Sequence, residues 1–229
     1  MNPSAALEQA RFNMIEQQIR PWDVLDLHVL HLLSVVKRED FVPLAHKALA
    51  FVDMEIPLGE DSEEAIRQGR CMLSPKVEAR LLQDLNVQKH EKVLEIGTGS
   101  GYMAALLAHR AQRVITLEID AALAQTARAN LQQAGVHNAE VRHADGSKDV
   151  SVDGPFDVIL LSGSVAEAPP ALLAQLKVGG RLAAVVGFEP MMRATFVTRT
   201  SESAWSTAQP WDTVAPRLQN FAEPSRFNF

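Results

Sequence analysis

The chain has a single cysteine, Cys71, in 229 residues. An internal disulfide needs two cysteines and a multi-cysteine metal site needs more, so both are excluded. Positive charge is also scarce: 22 Lys and Arg stand against 28 Asp and Glu, a formal net charge of −6. Phosphate backbones demand a basic face, so nucleic acid is not an expected partner. No apolar run approaches the length that crosses a bilayer. The opening MNPSAALEQARFNMIEQQIR mixes charge and polarity where a signal peptide would carry an apolar core. These absences predict a soluble, cytoplasmic chain with no membrane partner. There is no internal repeat and no low-complexity tract. His28, His31, His46, His90, His109, His137 and His143 have no metal-ligand spacing, and no metal is expected.

What is present suffices for a core: 47% of the residues are hydrophobic. The length suits one large domain, or one domain with an appendage. Ala5 to Gln18 reads as a helix broken at Arg20-Pro21-Trp22. Asp26 to Val36 reads as a second, with Leu27, Leu30, Leu33 and Val36 along one face. Leu44 to Phe51 can form a short third. IPLGEDSEEAIRQG reads as an exposed acidic loop. Ser74-Pro75 looks like an N-cap and first helical position, and the helix it opens turns Val77, Leu81, Leu82 and Leu85 inward.

From KVLEIG onward strands and helices alternate. KVLEIG, RVITLEID, AEVRHAD, PFDVILLSG and GGRLAAVVG read as strands, with helices at Tyr102 to Arg110, Ala121 to Ala134 and Pro169 to Leu176. Alternation of this kind builds right-handed βαβ units and a parallel sheet buried on both faces. ATFVTRT and SAWSTAQPWDTV read as two further strands, antiparallel at the sheet edge, with Trp205 and Trp211 packed on the sheet. The expected fold is α/β: a doubly wound, mostly parallel Rossmann-like sheet with a helical N-terminal extension and C-terminal antiparallel edge strands. The extension and its following loop take residues 1–75 and the α/β domain residues 76–229, in one compact unit.

VLEIGTGSGYMAALL puts Gly97, Gly99 and Gly101 where a strand turns into a helix. Glycine permits a tight turn and close approach of a ligand, and the helix N-terminus behind it carries free N–H groups. The dinucleotide fingerprint G-x-G-x-x-G needs its third glycine where Tyr102 stands. Glu95, two residues before the loop, would repel a pyrophosphate and attract a cationic amino-acid moiety. S-adenosylmethionine has an ammonium, a sulfonium and no phosphate, so the loop favours it over NAD. The candidate cofactor residues are Glu95, Gly97, Thr98, Gly99, Ser100, Gly101 and Tyr102. To these are added Glu118 for the ribose hydroxyls, and Asp145 with Gly146 for the adenine amine. Tyr102 and Met103 pack either on the cofactor or in the core. Asp120 reads as the N-cap of the following helix.

The loop resembles that of class I S-adenosylmethionine-dependent methyltransferases. Together with MIEQQIR, KREDFVPLAHKALAFVD, IPLG and PPALLAQLKVGGRL, it makes most of the chain resemble the protein-L-isoaspartate O-methyltransferase family. That resemblance implies carboxyl O-methylation of isoaspartyl residues in damaged proteins. It makes S-adenosylmethionine the donor, S-adenosylhomocysteine the product and a protein or peptide carboxylate the acceptor. An acceptor carboxylate is ionised at neutral pH, with a pKa of about 4, and needs no general base.

The chain departs from the family ahead of the glycine loop. The family's Gly-Gln-Thr-Ile-Ser-Gln-Pro reads here as Gly69-Arg70-Cys71-Met72-Leu73-Ser74-Pro75, so the family's serine falls on Leu73. An acidic insertion, EDSEEAIRQ, precedes it. Leucine has no hydroxyl to position a carboxylate. A methyltransferase for another acceptor, such as a small acid, and a cofactor-binding protein without transferase activity therefore stand as alternatives. The candidate catalytic residues are Ser74, otherwise a helix N-cap, and Arg70, which could hold a substrate carboxylate bidentately. Ser162-Gly163-Ser164 would add hydroxyls on the facing wall. Cys71 reads either as a nucleophile or as an apolar filler.

Overall fold

The computed structural model describes residues 3–148 and 150–223. Helix α1 (Pro3–Met14) continues through a wider turn at Ile15–Ile19 and a 3-10 turn at Arg20–Trp22. Helix α2 (Leu27–Val35) is capped by Asp26, whose side chain accepts from the N–H groups of His28 and Val29. Its inward face is Val29, Leu30, Leu32 and Leu33, while Leu27 is 70% exposed. Leu27 is the first residue of the helix and points off its end, which the expected stripe did not allow for. The third expected helix is a 3-10 helix at Leu44–Leu49.

Strand β1 (Ile56–Pro57) and strand β2 (Cys71–Met72) form a two-residue antiparallel ladder. Between them lies helix α3 (Ser62–Arg67), where the sequence suggested an exposed loop. Asp61 accepts from Glu64 N–H at its N-terminus and Glu63 and Glu64 occupy its first turn. The acidic run thus complements the helix N-terminus, and Ala65 anchors the helix inward. Helix α4 (Pro75–Leu85) buries Val77, Leu81, Leu82 and Leu85.

The main sheet comprises β3 (Lys92–Ile96), β4 (Arg113–Glu118), β5 (Ala139–His143), β6 (Phe156–Val165), β7 (Leu176–Phe188), β8 (Met191–Arg199) and β9 (Trp205–Asp212). Their spatial order is β5-β4-β3-β6-β7-β8-β9. The first five pair in parallel and the last two are antiparallel additions. Helices α5 (Tyr102–Arg110), α6 (Ala121–Gln133) and α7 (Pro170–Leu173) connect the strands. Helix α7 stops short of the expected end because Leu176 already pairs with Phe156 in the sheet. Trp211 is buried and donates to Asp84, but Trp205 is 42% exposed at the edge, against expectation.

The alternation along β3 divides the core. Val93 packs into a cluster that runs from Met14 to Ala215, and Leu94 and Ile96 pack into a second cluster around Phe156 and Leu182. The strand order reverses between β3 and β6, and crevices at the carboxyl ends of such a switch point are where open α/β sheets bind ligands. Among the described residues no helix is long and apolar enough to cross a membrane.

Candidate active site

A cleft of about 220 Å³ opens at that switch point. Gly97 and Gly99, from the turn after β3, form part of its floor, and Glu118, at the end of β4, forms a wall. Asp145 and Gly146, after β5, close a third side. Gly97 and Gly101 have φ of 93° and 88°, the left-handed region that disfavours any side chain. A Cβ on Gly97 would come within 3.0 Å of Leu218 and 3.2 Å of the Ser162 carbonyl. Gly146 packs so closely on Ile96 that a Cβ would meet its Cγ2 at 2.4 Å.

Glu118 is 6% exposed, and its carboxylate accepts from the backbone N–H of Gly99 at 2.8 Å and of Asp120 at 3.0 Å. Burial raises its pKa, and these backbone donors pull it back. Asp120 caps α6, accepting from Ala122 and Leu123 N–H, as expected. Asp145 folds into an Asx turn, accepting from the N–H and hydroxyl of Ser147 and from Asn220. Burial acts against its charge, but these donors prevail and its pKa is lowered.

The rest of the glycine loop turns away from this cleft. Thr98, Ser100 and Tyr102 line a separate inner cavity of about 20 Å³, shared with Cys71, Leu73, Glu78 and Ser162. Tyr102 is 1% exposed and packs edge-on to Phe41 at 5.5 Å, so of its two expected places it takes the core. Its hydroxyl is buried without a hydrogen-bond partner. Thr98 Oγ1 lies 2.6 Å from Thr116 Oγ1. Gly101 packs on Ala127 of α6.

Glu95 is not a cleft residue. It has no exposed surface and accepts from Thr116 at 2.7 Å and Ser162 at 2.7 Å. Even-numbered residues of β3 face the other core, so Glu95 shares the face of Val93 and is covered by helices. Burial pushes its pKa up to about 8 against the two hydroxyl donors. A group so placed holds Ser162 beneath the cleft.

The two candidate catalytic residues do not meet in one cavity. Arg70 lines the 220 Å³ cleft, where Nη1 pairs with Asp120 at 3.3 Å and Nε lacks a partner. It belongs to the wall shared with Glu118. Ser74 occupies the N-cap of α4 without a capping hydrogen bond, because no N–H of the first turn reaches its hydroxyl. It lines another groove, of about 780 Å³, with Trp22, Met54, Glu55, Lys76, Met191 and Val214. Lys76 is held there by Asp53 at 2.7 Å and lies 4.0 Å over the Trp22 ring. Cys71 lines both the cleft and the inner cavity. Burial, and next the charge of Glu55, raise its thiol pKa far above the ordinary range, so it is no thiolate nucleophile.

Sequence reasoning missed the C-terminal segment Pro216–Phe221. Leu218 N–H bonds to the Ser164 carbonyl at 2.9 Å, and Arg217, Leu218, Gln219 and Phe221 line the cleft. PRLQNF carries no motif; its place depends on pairing with β6 and on the space left by Gly97 and Gly163. His143, near the same strand ends, lies outside the cleft lining.

Comparison with known proteins bears on family and fold. The profile of a family described as protein-L-isoaspartate(D-aspartate) O-methyltransferase matches residues 9–210. A protein-L-isoaspartate O-methyltransferase of Koribacter versatilis is 39% identical over 194 residues, 85% of this chain and 82% of that protein. Protein-L-isoaspartate O-methyltransferase 1 of Syntrophobacter fumaroxidans is 41% identical over 180 residues, 79% and 80% of the two chains. The crystal structure of a Plasmodium falciparum protein described as a putative member, in complex with S-adenosyl-L-homocysteine, superposes with a TM-score of 0.74. It covers 92% of this chain and 99% of its own at 18% identity, a likeness of fold. With a profile spanning most of its length and relatives near two-fifths identity, the chain belongs to the protein-L-isoaspartate(D-aspartate) O-methyltransferase family.

Proposed function

We propose that the protein methylates the free carboxylate of isoaspartyl residues in protein or peptide acceptors, with S-adenosylmethionine as donor. The observation that carries this reading is the cleft at the β3/β6 switch point, in a chain of this family. Its lining fits such a donor: Glu118 and Asp145 are acceptors for hydroxyls and an amine. Gly97 and Gly99 leave room for close approach, and Arg70 offers a buried, unpartnered Nε–H to an oxygen of the donor. When bound, S-adenosylmethionine supplies a methyl on a sulfonium, and transfer forms the carboxylate O–C bond as the S–C bond breaks.

The chain's own task is placement. Glu118 takes the ribose, freeing the Gly99 and Asp120 N–H groups or sharing with them, and Asp145 with Gly146 frames the adenine. Ser162, tied to Glu95 below, holds the facing wall. The acceptor approaches along the groove that carries Ser74, and β2 with Leu73 separates it from the donor. No side chain has to act as a base, since the acceptor is already anionic. Water exclusion by the apolar wall favours a step in which anion and cation become neutral products.

Two measurements test this. Ligands that bind the native state raise its melting temperature. S-adenosylhomocysteine should do so and NADH should not; stabilisation by NADH alone would refute the donor. Labelled methyl should pass to an isoaspartyl peptide and not to its aspartyl twin. Donor binding without transfer would favour a second reading, a different acceptor, which the apolar Leu73 side chain in the dividing wall supports.

A further inference from the structure

Arg38 lies in the short 3-10 turn Arg38–Asp40 of the N-terminal extension and has no exposed surface. Its contacts reach three parts of the site. Nη2 donates to the Leu73 carbonyl at 2.8 Å. Nη1 pairs with Glu78 on α4. The guanidinium carbon lies 5.2 Å from the ring centroid of Tyr102, the first residue of α5 behind the glycine loop. Leu73, Glu78 and Tyr102 all line the inner cavity between that loop and β2.

The dividing wall needs such an anchor. Strand β2 is two residues long and pairs only with β1, outside the main sheet. No ladder therefore sets its distance from the glycine loop. A guanidinium carries its donors in a rigid plane, unlike the flexible point charge of lysine. One such plane, sealed from water, ties the Leu73 carbonyl, α4 and the start of α5 in a single geometry. Charge compensation alone would require only Glu78; the bond to Leu73 is a further constraint.

We infer that Arg38 is a positioning residue for methyl transfer, fixing the Cys71–Ser74 wall against the glycine loop. The inference rests on the reading of the site as a methyltransferase centre. Transfer needs the reacting atoms in line and close, and small misplacements by remote residues are costly in rate.

Two variants test it: Arg38→Lys, and the double variant Arg38→Met/Glu78→Leu, which removes the buried pair whole and so leaves no unpaired charge. Melting, S-adenosylhomocysteine affinity and the kinetics of methyl transfer to an isoaspartyl peptide are measured. So is the rate at which an aromatic disulfide labels Cys71 at fixed pH. Cys71 is the only thiol and sits in the wall itself; the Glu78 charge also raises its pKa, so only acceleration beyond that of a Glu78→Gln control reports on the wall.

The double variant should melt cooperatively and bind S-adenosylhomocysteine within about twofold of wild type, while kcat falls by about 10–100-fold at unchanged donor KM. Its Cys71 should label at least about tenfold faster, as a locally loosened segment does. Arg38→Lys should recover part of both. A folded double variant with wild-type kcat and labelling overturns the inference. So does a loss of donor affinity in step with kcat, which would place Arg38 on the donor side. If the double variant does not fold, wild-type labelling and kcat in Arg38→Lys overturn it. A wild-type protein inactive on the isoaspartyl peptide would overturn the proposed acceptor, and the labelling rates would then decide the Arg38 inference by themselves.

Discussion

Gly97, Glu118 and Asp145 enter the proposed donor cleft from the ends of three strands that adjoin in the sheet and follow one another in the chain. The proposed acceptor groove is assembled otherwise. Trp22 comes from the N-terminal extension, Ser74 from the cap of α4, and Met191 and Val214 from the start of β8 and just past the end of β9, which pair there. The cleft is built around a local motif set by backbone geometry, which Arg70 and the C-terminal segment then cover; the groove has no such motif at its base. A donor site of the first kind can persist while an acceptor site of the second kind changes. Leu73, where the resemblance puts a serine, stands on the border between them.

The sharpest way to break this division is Glu118→Ala. Hydrogen bonds to a charged group are worth about 1.5–3 kcal/mol, so S-adenosylhomocysteine affinity should fall by roughly 10–100-fold. Calorimetric titration reads the affinity. KM for an isoaspartyl peptide at saturating donor should stay near wild type; an equal rise in both would mean that the two sides are one site. Next in size is Leu73→Ser. It buries a hydroxyl where a packed leucine stood and should cost about 1–3 kcal/mol of stability in denaturant unfolding. If the dividing wall sets the acceptor, it should also raise isoaspartyl turnover and leave donor affinity alone. Lowered turnover would show that the leucine is itself part of the acceptor's fit.

The same division explains what could be read in advance. The strand-loop-helix grammar of residues 92–146 depends on neighbours in sequence, and Gly97, Gly99, Glu118, Asp145 and Gly146 line the cleft as read. Glu95 lies outside the cleft lining because of the alternation along β3: with Leu94 and Ile96 facing one core, Glu95 faces the other. Helix α3 was readable, since Asp61 followed by Glu63 and Glu64 is an N-terminal signature. The Arg38 contacts and the C-terminal segment were not readable. Each is a long-range bond made by residues with no local pattern.

Glu95 holds Ser162, which borders both the cleft and the inner cavity behind the glycine loop. Its folded pKa of about 8 lies above the ordinary carboxyl value of 4.5. A raised pKa means that the unfolded chain releases the proton first. Stability from the protonated form is complete below the unfolded value and drains away as pH climbs from about 4.5 to about 8, by at most about 1.4 kcal/mol per unit. Glu95→Gln should flatten this part of the pH–stability curve, read by urea unfolding across the window. An unchanged slope would mean that Glu95 is ionised in the fold.

The smallest effect is expected at Cys71→Ala, although Cys71 stands where the two halves touch. Its thiol is held protonated by burial and by the nearby Glu55 carboxylate, and its hydrogen bond to Glu55 is the only polar role seen for it. Methyl transfer to a carboxylate draws on no second nucleophile. Turnover should therefore remain within about twofold of wild type, with a stability cost of about 1 kcal/mol for a partly buried truncation. A large fall in kcat with donor affinity intact would give the thiol a place in acceptor binding. The boundary between the halves would then be a working surface in its own right, and not the passive wall that its apolar lining and neutral thiol describe.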